Sequence, residues 1–520
     1  MTKSINIPAL LTGLSLSLMS GCSGLPDNSE RTRSYAITDG ESTHLGKAFH
    51  QELVKYPDQS GVFLLANGLD AFVARVLLAR QAERSIDLQY YMFHRDTVGR
   101  LLINELLDAA DRGVRVRMLI DDIYGEEGDD VWAALDAHPN YEVQLFNPFV
   151  RNRSKNLQWI TRFKDVNYRM HSKTYTVDNQ ATIVGGRNTG DEYFNADPEL
   201  AFTDLDVLAI GPVVPEVSKE FDEYWNSEYA YPVSALVAPA TADDLNRLRG
   251  HSDAFSKQQR TSNYVEALNN SKLAKALRTD SARFSWADAK VIHDSSQKKA
   301  HDADWREELL ISQLAPYIEQ VSDELILVSP YFVPGKAGAA ALCKLSQQGA
   351  RVRVLTNSLA SNDVAAVHAG YAKYRKQLLR CGVELYELDE QIKEQEQKMF
   401  RWLPGLSKSS LHAKTMAFDK KGMFVGSFNF DQRSLHINNE IGILFRNPEI
   451  TERASDNFYK NIDKAAFKLE LHSDGGRRET LRWHGQKDGK EVILDSEPYA
   501  SFWKKFGAGF VGMLPVESLL

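Results

Sequence analysis

The two halves of this chain carry the same series of elements at a nearly constant spacing. In the first half an apolar strand at 85–93 is followed by a helix with apolar residues at 3.6-residue spacing, by Gly113 and by a second apolar strand. A strand beginning at Leu325 opens the same series in the second half, which continues through a helix and Gly349 to another strand. The two glycines are 236 residues apart, and the polar motifs described below are 241 apart. A near-constant offset across separate elements predicts a duplicated domain.

The repeated strand–helix–strand order also predicts the fold class. Short connections of this kind imply parallel strands joined by right-handed crossovers, and hence an α/β sheet covered on both faces. A chain of 520 residues exceeds one ordinary core, and 43% hydrophobic with 25% charged residues indicates a globular protein. We therefore predict two similar α/β domains, residues 46–237 and 283–520, packed about a pseudo-twofold axis and joined by a polar surface linker at 238–282.

The first 22 residues have the features of an export signal. Lys3 gives a positive start, and the apolar stretch from Ile5 to Leu18 is too short for a spanning helix. The stretch ends in Leu-Met-Ser-Gly-Cys22, which resembles a bacterial lipoprotein box. This implies cleavage before Cys22, acylation of that cysteine, and a polar tether at 23–45. An ordinary secretory signal is the alternative.

The same segment predicts the location of the protein. Past residue 22 no apolar run approaches the ~20 residues that a spanning helix needs. We expect a lipid-anchored protein of the bacterial cell envelope that faces the periplasm. Ser23 stands where an Asp favours inner-membrane retention in enteric bacteria, so the outer membrane is favoured over the inner one.

The two remaining cysteines are predicted to be structural. Cys343 and Cys381 stand in apolar settings. Export makes a disulfide possible, but we favour two buried free thiols. No Cys/His cluster has zinc-like spacing, so we predict no structural metal.

Each half contains one cluster of chemically active residues. The first consists of His171, Lys173 and Asp178, followed by Gly185-Gly-Arg-Asn188; the second consists of His412, Lys414 and Asp419, followed by Gly426-Ser-Phe-Asn429. His and Lys two apart on a strand point to the same face, so an imidazole and an ammonium reach one pocket. The small pair lets the backbone approach a phosphate, and Asn offers an amide donor. One such pattern is informative, and two at matching places in a repeat argue strongly for catalysis.

With these motifs the chain resembles the phospholipase D superfamily, whose signature is H-x-K-x₄-D followed by G-[GS]-x-N. The match covers nearly all of the mature chain. Within the superfamily the chain is most similar to bacterial cardiolipin synthases of the exported, periplasm-facing branch. The stretches 185–194, 204–212, 356–368 and 513–520 support this narrower resemblance.

The resemblance implies that the two motifs meet in one pocket between the halves, and it also implies a mechanism. One imidazole attacks phosphorus to form a phosphatidyl-histidine while the other protonates the leaving alcohol, and the roles then reverse. We assign His171 as nucleophile and His412 as acid/base, with the symmetric alternative open. The two motif lysines and Asn188 and Asn429 hold phosphate oxygens, so no cofactor or metal is expected. Asp206 and Glu440 resemble the acids that orient the histidines.

Other residues are open to two interpretations. Asp178 and Asp419 belong to the motif but are expected to order the turn after the strand. Six further residues could shape the headgroup pocket or pack in the core: Tyr90, Tyr91, Phe93, His94, His368 and Tyr371. The aromatic, Lys-containing stretch from Phe502 to Leu514 suits either a membrane surface or docking onto the protein itself.

The leading functional hypothesis is transphosphatidylation between membrane phospholipids to give cardiolipin, with phosphatidylglycerol or phosphatidylethanolamine as donor. Hydrolysis to phosphatidic acid shares the same intermediate and is the main alternative. A nuclease is disfavoured by the net charge of −8, because nucleic-acid binders usually carry a basic excess. A non-catalytic lipid-binding lipoprotein is disfavoured by the intact motifs. The sequence does not predict an oligomeric state.

Overall fold

A computed structural model describes residues 24–29, 31–197, 201–278, 283–298, 308–362, 364–389, 409–473, 479–487, 490–501 and 504. The lipidation site Cys22 lies outside these residues, as does nearly all of the predicted membrane-surface stretch at the C-terminus. Within the described part of the chain, no helix is both long enough and apolar enough to cross a membrane.

The first domain contains nine strands and eight α-helices among the described residues. In chain order they are α1 (His44–Lys55), β1 (Ser60–Leu65), α2 (Gly68–Gln81), β2 (Ser85–Tyr90), α3 (Thr97–Asp111), β3 (Arg115–Asp121), α4 (Asp129–Asp136), β4 (Tyr141–Phe146), α5 (Lys155–Thr161), α6 (Phe163–Val166), β5 (Thr174–Val177), β6 (Ala181–Gly185), β7 (Ala201–Thr203), β8 (Asp206–Ile210), α7 (Val213–Trp225), β9 (Ala230–Pro232) and α8 (Val233–Leu236).

Three helices precede the second domain: α9 (Ala242–Gln259), α10 (Asn263–Asn269) and α11 (Lys272–Arg278). The second domain then repeats the order of the first. Its elements are β10 (Ser285–His293), α12 (Leu310–Glu319), β11 (Glu324–Val328), α13 (Gly335–Gln347), β12 (Arg351–Asn357), α14 (Ala365–Ala372), α15 (Arg375–Arg380), β13 (Glu384–Leu388), β14 (Ser409–Leu411), β15 (Thr415–Phe418), β16 (Gly422–Gly426), α16 (Gln432–His436), β17 (Ile441–Arg446), α17 (Pro448–Ala465), β18 (Ala466–Ser473), β19 (Glu479–Lys487) and β20 (Lys490–Leu494).

Strand pairing confirms the duplication and the parallel pairing predicted for the strand–helix–strand units. The order β4-β3-β2-β5-β6-β8-β1 in the first domain matches β13-β12-β11-β15-β16-β17-β10 in the second. Within these two orders, only the triplets β2-β3-β4 and β11-β12-β13, which the crossover helices join, are parallel. The motif strands β5 and β15 pair antiparallel, because tight turns rather than crossovers connect them to β6 and β16.

The two sheets join where β1 pairs antiparallel with β10, from Ser60 opposite Ala287 to Val62 opposite Ser285. Equivalent strands therefore meet edge to edge, as a pseudo-twofold axis requires. Their shared core includes Val184 and Val207 from the first domain and Val425 and Ile443 from the second. The domains thus form one continuous sheet, and the axis brings the two motif strands close together.

Two segments predicted to be connectors are packed against the first domain. In the predicted tether, the backbone N–H of Ala36 donates to Asp222, and the Asn28 amide donates to the Ala230 carbonyl. In the predicted linker, Leu245, Leu268 and Leu273 are buried in the core of the first domain. These apolar positions recur in an otherwise polar stretch, which is why composition alone indicated a surface linker.

The prediction of two free thiols was wrong. Cys343 on α13 and Cys381 just after α15 form a disulfide, with an S–S distance of 2.01 Å. Both helices cover the same face of the parallel triplet in the second domain, where the strand–helix repeat aligns them. Spacing along the sequence gave no indication of this proximity.

Candidate active site

Each motif histidine is held at the domain boundary by the backbone of the other domain. The N–H of His171, which precedes β5, donates to the Asn439 carbonyl at 2.8 Å. The N–H of His412, which precedes β15, donates to the Thr203 carbonyl, also at 2.8 Å. The short parallel pair β7–β14 supports the second contact. The predicted single site shared by both halves is therefore present in the geometry.

The acidic partners also cross between the domains. His171 Nδ1 lies 2.8 Å from Glu440 Oε2, and His412 Nδ1 lies 2.5 Å from Asp204 Oδ2. An ionised carboxylate only accepts, so Nδ1 carries the proton in each ring and Nε2 is the nitrogen presented for chemistry. Each half thus supplies a histidine and the carboxylate that orients the other half's histidine.

The predicted orienting role of Asp206 is not supported. Its carboxylate pairs with Arg75 Nη2 at 3.0 Å and with Arg187 Nη1 at 3.4 Å, and all three side chains are buried. Two residues that are two positions apart on one strand would face the same side. Asp204, however, precedes β8 and contacts His412 of the second domain, whereas Asp206 lies within the strand and contacts the arginines. Glu440 contacts a histidine as predicted.

The second residue of each Gly-[Gly/Ser] pair fits the acid beside it. A Cβ at Gly186 would lie 2.3 Å from Asp204 Oδ1, so only glycine leaves room for that carboxylate. At the matching place Ser427 Oγ donates to Glu440 Oε2 at 2.5 Å, and Ser434 Oγ donates to Oε1 at 2.7 Å. Glu440 therefore accepts hydrogen bonds from two hydroxyls in addition to the histidine, whereas the N–H of Leu205 donates to Asp204 beside His412.

Lysines and aromatic rings enclose the two imidazoles. Lys173 Nζ and Lys414 Nζ each donate to the carbonyl of the preceding motif histidine at 2.5 Å. The Tyr91 ring packs edge-on against His171, with 4.9 Å between centroids, and Lys173 Nζ lies 5.3 Å from its centre. Tyr193 packs in the same way against His412 at 5.1 Å. The result is a buried, cation-rich pocket.

The electrostatics show that both motifs share this pocket. Burial lowers the pKa of His171 well below its usual value, and the charges of Lys173, Lys414 and Arg433 lower it further. Burial and the same two lysines lower the pKa of His412 to about 4, against the opposing effect of Asp204. Burial also lowers the pKa of Lys173. Each histidine therefore experiences the lysines of both halves and is neutral at pH 7 before substrate binds.

The pKa values of the two carboxylates are shifted in opposite directions. Burial raises the pKa of Glu440, although Lys173 and the two serine hydroxyls oppose the shift. Burial also acts to raise the pKa of Asp204, but its interaction and hydrogen bond with His412, together with the charge of Lys414, outweigh burial and hold that pKa below its usual value. Asp204 is accordingly the stronger partner for a protonated imidazole.

The two predicted phosphate ligands, Asn188 and Asn429, have different hydrogen-bond partners. Asn188 Nδ2 donates to the Tyr193 hydroxyl at 2.9 Å, and its Oδ1 accepts the N–H of Met92 at 3.3 Å. Asn429 is buried, and its Oδ1 has no hydrogen-bond partner within the described parts of the chain. Their role in binding phosphate remains a prediction.

The motif aspartates lie at the opposite end of the strands from the histidines. Asp178 accepts the N–H groups of Glu83, Arg84 and Ser85 just before β2. Asp419 accepts the three matching N–H groups of Ser322, Asp323 and Glu324 before β11. Their contacts are those of structural residues, as the analysis of the turn predicted, and not those of catalytic ones.

The remaining candidates divide between pocket and core. Tyr91 lines the pocket, whereas the Tyr90 hydroxyl accepts from Arg75 and Phe93 packs in the core. His94 contacts Tyr124 and Glu192. His368 and Tyr371 both contact the buried Arg375, which pairs with Glu387 and Glu497.

Asp204 is the main residue that sequence reasoning missed, and a signal for it existed. In the strand register, Gly185 on β6 lies opposite Asp206 on β8, and Gly426 on β16 lies opposite Gly442 on β17. Asp204 and Glu440 thus each stand two residues before the partner of the first motif glycine. They are also 236 residues apart, the same offset as the two repeat glycines. Tyr193 and the serine pair on Glu440 had no comparable signal.

The duplicated sheet and the paired, carboxylate-held histidines with their lysines define an enzyme of the two-motif phospholipase D type. Residues 77–225 and 314–462 match the family described as cardiolipin synthase, PLD-like domain. The chain belongs to this family.

Individual relatives agree. The chain is 41% identical over 470 residues to cardiolipin synthase C of Escherichia coli (strain K12), covering 90% of this chain and 97% of that protein. An uncharacterized protein of Helicobacter pylori (strain ATCC 700392 / 26695) is 30% identical over 98% of this chain and 99% of its own. The crystal structure of phosphatidylserine synthase from Haemophilus influenzae Rd KW20 shares the fold, with a TM-score of 0.56 over 91% of this chain and 99% of that one, at 12% identity.

Proposed function

We propose that this protein is a phosphatidyltransferase that makes cardiolipin by moving a phosphatidyl group from one phospholipid to the glycerol hydroxyl of phosphatidylglycerol. The observation that carries the proposal is the pair of buried imidazoles, each held at Nδ1 by a carboxylate of the other domain. The 41% identity to a cardiolipin synthase over 97% of its length supports the same reaction.

In the first half-reaction His171 Nε2 attacks phosphorus. A P–N bond forms as the P–O bond to the headgroup alcohol breaks, and His412 gives its Nε2 proton to the departing oxygen. The products are a phosphatidyl-histidine and the free headgroup alcohol. In the second half-reaction neutral His412 takes the proton of the incoming glycerol hydroxyl, the new P–O bond forms, and the P–N bond to His171 breaks.

The assignment of roles follows from the two carboxylates. An acid/base residue must carry a proton in one step, and the ionised Asp204 stabilises an imidazolium at His412. Two serine hydroxyls already donate to Glu440, so it provides less negative charge for His171. His171 therefore stays neutral, as a nucleophile must. The negative phosphate of a bound substrate raises the low pKa of His412 and so loads it with its proton.

Lys173 and Lys414 supply the positive charge that the reaction needs. Both are buried beside a histidine, where charge–charge interactions are stronger than in water. We infer that their ammonium groups, with Asn429, stabilise the charge on the non-bridging oxygens in the transition state. Loss of one such donor typically raises the barrier by about 3–4 kcal/mol.

The burial of the pocket favours transfer over hydrolysis. The His171 side chain is 8% exposed and the His412 side chain 13%. A site that admits little water protects the phosphatidyl-histidine until a lipid alcohol arrives.

Lipidation at Cys22 is part of the same proposal. Acylation would hold the protein at the periplasmic side of the envelope, with the outer membrane favoured, and its phospholipid substrates within reach. Palmitate labelling of wild type but not of Cys22→Ser is the expected result; equal labelling of both would refute the anchor.

A lipid-turnover assay tests the activity. Labelled phosphatidylglycerol, with and without phosphatidylethanolamine, is supplied in detergent–lipid micelles to wild type, His171→Ala and His412→Ala. Cardiolipin made by wild type alone supports the proposal, and the donor dependence identifies the substrate pair. Phosphatidic acid as sole product would show a hydrolase, and no phospholipid turnover would refute a lipid substrate.

A further inference from the structure

The connection between β4 and β5 contains a strongly basic stretch at residues 152–164, which we call the lip segment. It carries Arg153, Lys155, Arg162 and Lys164 and has no Asp or Glu. The whole chain has a net charge of −8. Two acidic residues reduce this charge, because Asp165 lies 3.9 Å from Arg162 and Glu126 lines the same cleft as Arg153 and Lys155. The surface keeps a positive excess, which suits an anionic partner.

The outer face of the lip segment is apolar. Leu157 is 54% exposed, Ile160 79% and Phe163 39%. They are three of the ten large hydrophobic side chains exposed among the described residues, and they fall within seven consecutive positions. Leu157 and Ile160 are three apart on α5, so both side chains project from one side of that helix.

The inner face of the lip segment is anchored firmly. Gln158 is buried and exchanges hydrogen bonds of 2.9 Å with the backbone of Val150. The Trp159 ring packs edge-on against Phe149 at 5.9 Å, and the Arg169 guanidinium lies over both rings. The exposed side chains are therefore held outward by a fixed support.

That support leads directly to the catalytic residues. Arg169 precedes His171 by two positions, and its carbonyl accepts the N–H of Asn439 from the second domain. Just after α6, Asn167 accepts from both terminal nitrogens of Arg433, whose charge also lowers the pKa of His171. The segment connects the end of β4 to the start of β5. Both of these strand ends lie at the sheet edge that carries the motif histidines.

We propose that the lip segment is a membrane-docking surface, with Leu157 and Ile160 inserted at the level of the acyl chains of an anionic bilayer and the basic side chains among its phosphates. The combination of exposed apolar and basic side chains on a short helix matches such an interface. The inference rests on the proposed function in one respect, namely that the substrate lies in a membrane. Docking here would bring the sheet edge that carries the motif histidines to the bilayer.

A position-specific label tests the proposal on the full chain. Ile160→Cys carries an environment-sensitive fluorophore, and Val54→Cys, labelled in the same way, is the matched control. Val54 is 65% exposed on α1. At the start of that helix, the N–H of His44 donates to Glu83, and the N–H of Glu83 donates to Asp178. Asp178 marks the end of the sheet opposite the histidines, so α1 starts at that opposite edge. Unsubstituted chain reports background labelling.

The labelled proteins are bound to vesicles of phosphatidylglycerol and phosphatidylcholine that contain nitroxide-bearing lipid. The expected result is a blue shift and quenching at position 160 and neither at position 54. A water-exposed label at both positions, or equal insertion of both, would overturn the proposal. The same measurement in a His171→Ala background separates the two hypotheses, because docking there must persist whether or not the protein makes cardiolipin.

Kinetics give a second readout. The double variant Leu157→Asn/Ile160→Asn is expected to lose about tenfold in turnover on vesicles, because two apolar side chains no longer enter the bilayer. Turnover in detergent–lipid micelles, where the substrate is presented on all sides, should be unchanged, as should both activities of Val54→Asn. An equal loss on vesicles and micelles would show a packing defect and refute docking.

Discussion

Substitution of Asp204 by Asn distinguishes the role of this residue from that of Asp206, the first residue of β8. The carboxylate lies 2.5 Å from His412 Nδ1, and Asn keeps its shape while removing its charge. An Asn amide can donate to Nδ1, which would place the ring proton on Nε2 and leave no base facing the acceptor alcohol. The variant is therefore expected to lose acid/base catalysis and keep its fold.

The expected loss follows from the role assigned to His412. General acid–base catalysis contributes about 10²–10⁴-fold to a reaction, which corresponds to about 3–5 kcal/mol of activation free energy. Cardiolipin formation by Asp204→Asn should fall within this range. The free energy of unfolding should change little by comparison, because Gly186 still leaves room for a side chain of this size.

Asp206→Asn is the matched control, two residues away. It leaves Arg75 and Arg187 buried without their carboxylate, and breaking a buried ion pair costs about 3–5 kcal/mol of stability. Its activity should be near that of wild type at temperatures where it remains folded. Urea unfolding and cardiolipin formation measured on both variants check the contrast. The reasoning would be refuted if Asp204→Asn kept its activity while folded Asp206→Asn lost it.

Other perturbations have distinct expected outcomes. The disulfide closes a separation of 38 residues, so Cys343→Ser or Cys381→Ser should lower the free energy of unfolding by about 2–4 kcal/mol, and reductant should not destabilise either variant further in urea titrations. Gly186→Ser should reduce the rate of cardiolipin formation at unchanged α/β circular dichroism, because its Cβ would displace the neighbouring carboxylate. The folded state resists protonation of His171 and His412, so their contribution to stability is present above pH 6.5 and should be lost as the pH falls toward 4. In this pH window, thermal unfolding of wild type should be more acid-sensitive than that of the double variant His171→Ala/His412→Ala. Activity should survive EDTA, because lysines supply the positive charge at the phosphate; inhibition that added metal reverses would contradict this.

The repeat predicted most of the fold because its elements have strong local signals. Apolar strands, amphipathic helices and the glycines that end them are properties of short stretches, and they recur at one offset. The antiparallel pairing of the motif strands was missed because the crossover argument applies only to strands joined by a helix. Leu245, Leu268 and Leu273 went unnoticed because isolated apolar residues in a polar stretch carry little periodic signal.

In the site, the motifs predicted the residues that meet but not how charge is shared among them. His171 and His412 follow from their spacing to Lys and Asn. The crossing of Asp204 and Glu440 to the opposite domain depends on how the halves associate, which local pattern does not encode. Asp206 was chosen because it precedes an aliphatic run, yet two buried arginines, distant in sequence, determine its partner.

A covalent-intermediate assay tests the central claim, that two histidines from two domains divide nucleophilic and acid/base work in one pocket. The substrate is a phosphatidyl donor with a p-nitrophenol headgroup, which leaves as p-nitrophenolate without needing a proton. With it, His412→Ala should release one equivalent of p-nitrophenolate in a burst, retain phosphatidyl on His171 by mass spectrometry, and then stop, whereas His171→Ala should give no burst. A burst from His171→Ala with the adduct on His412 would reverse the roles, and cardiolipin formation by either variant without an adduct would contradict the account.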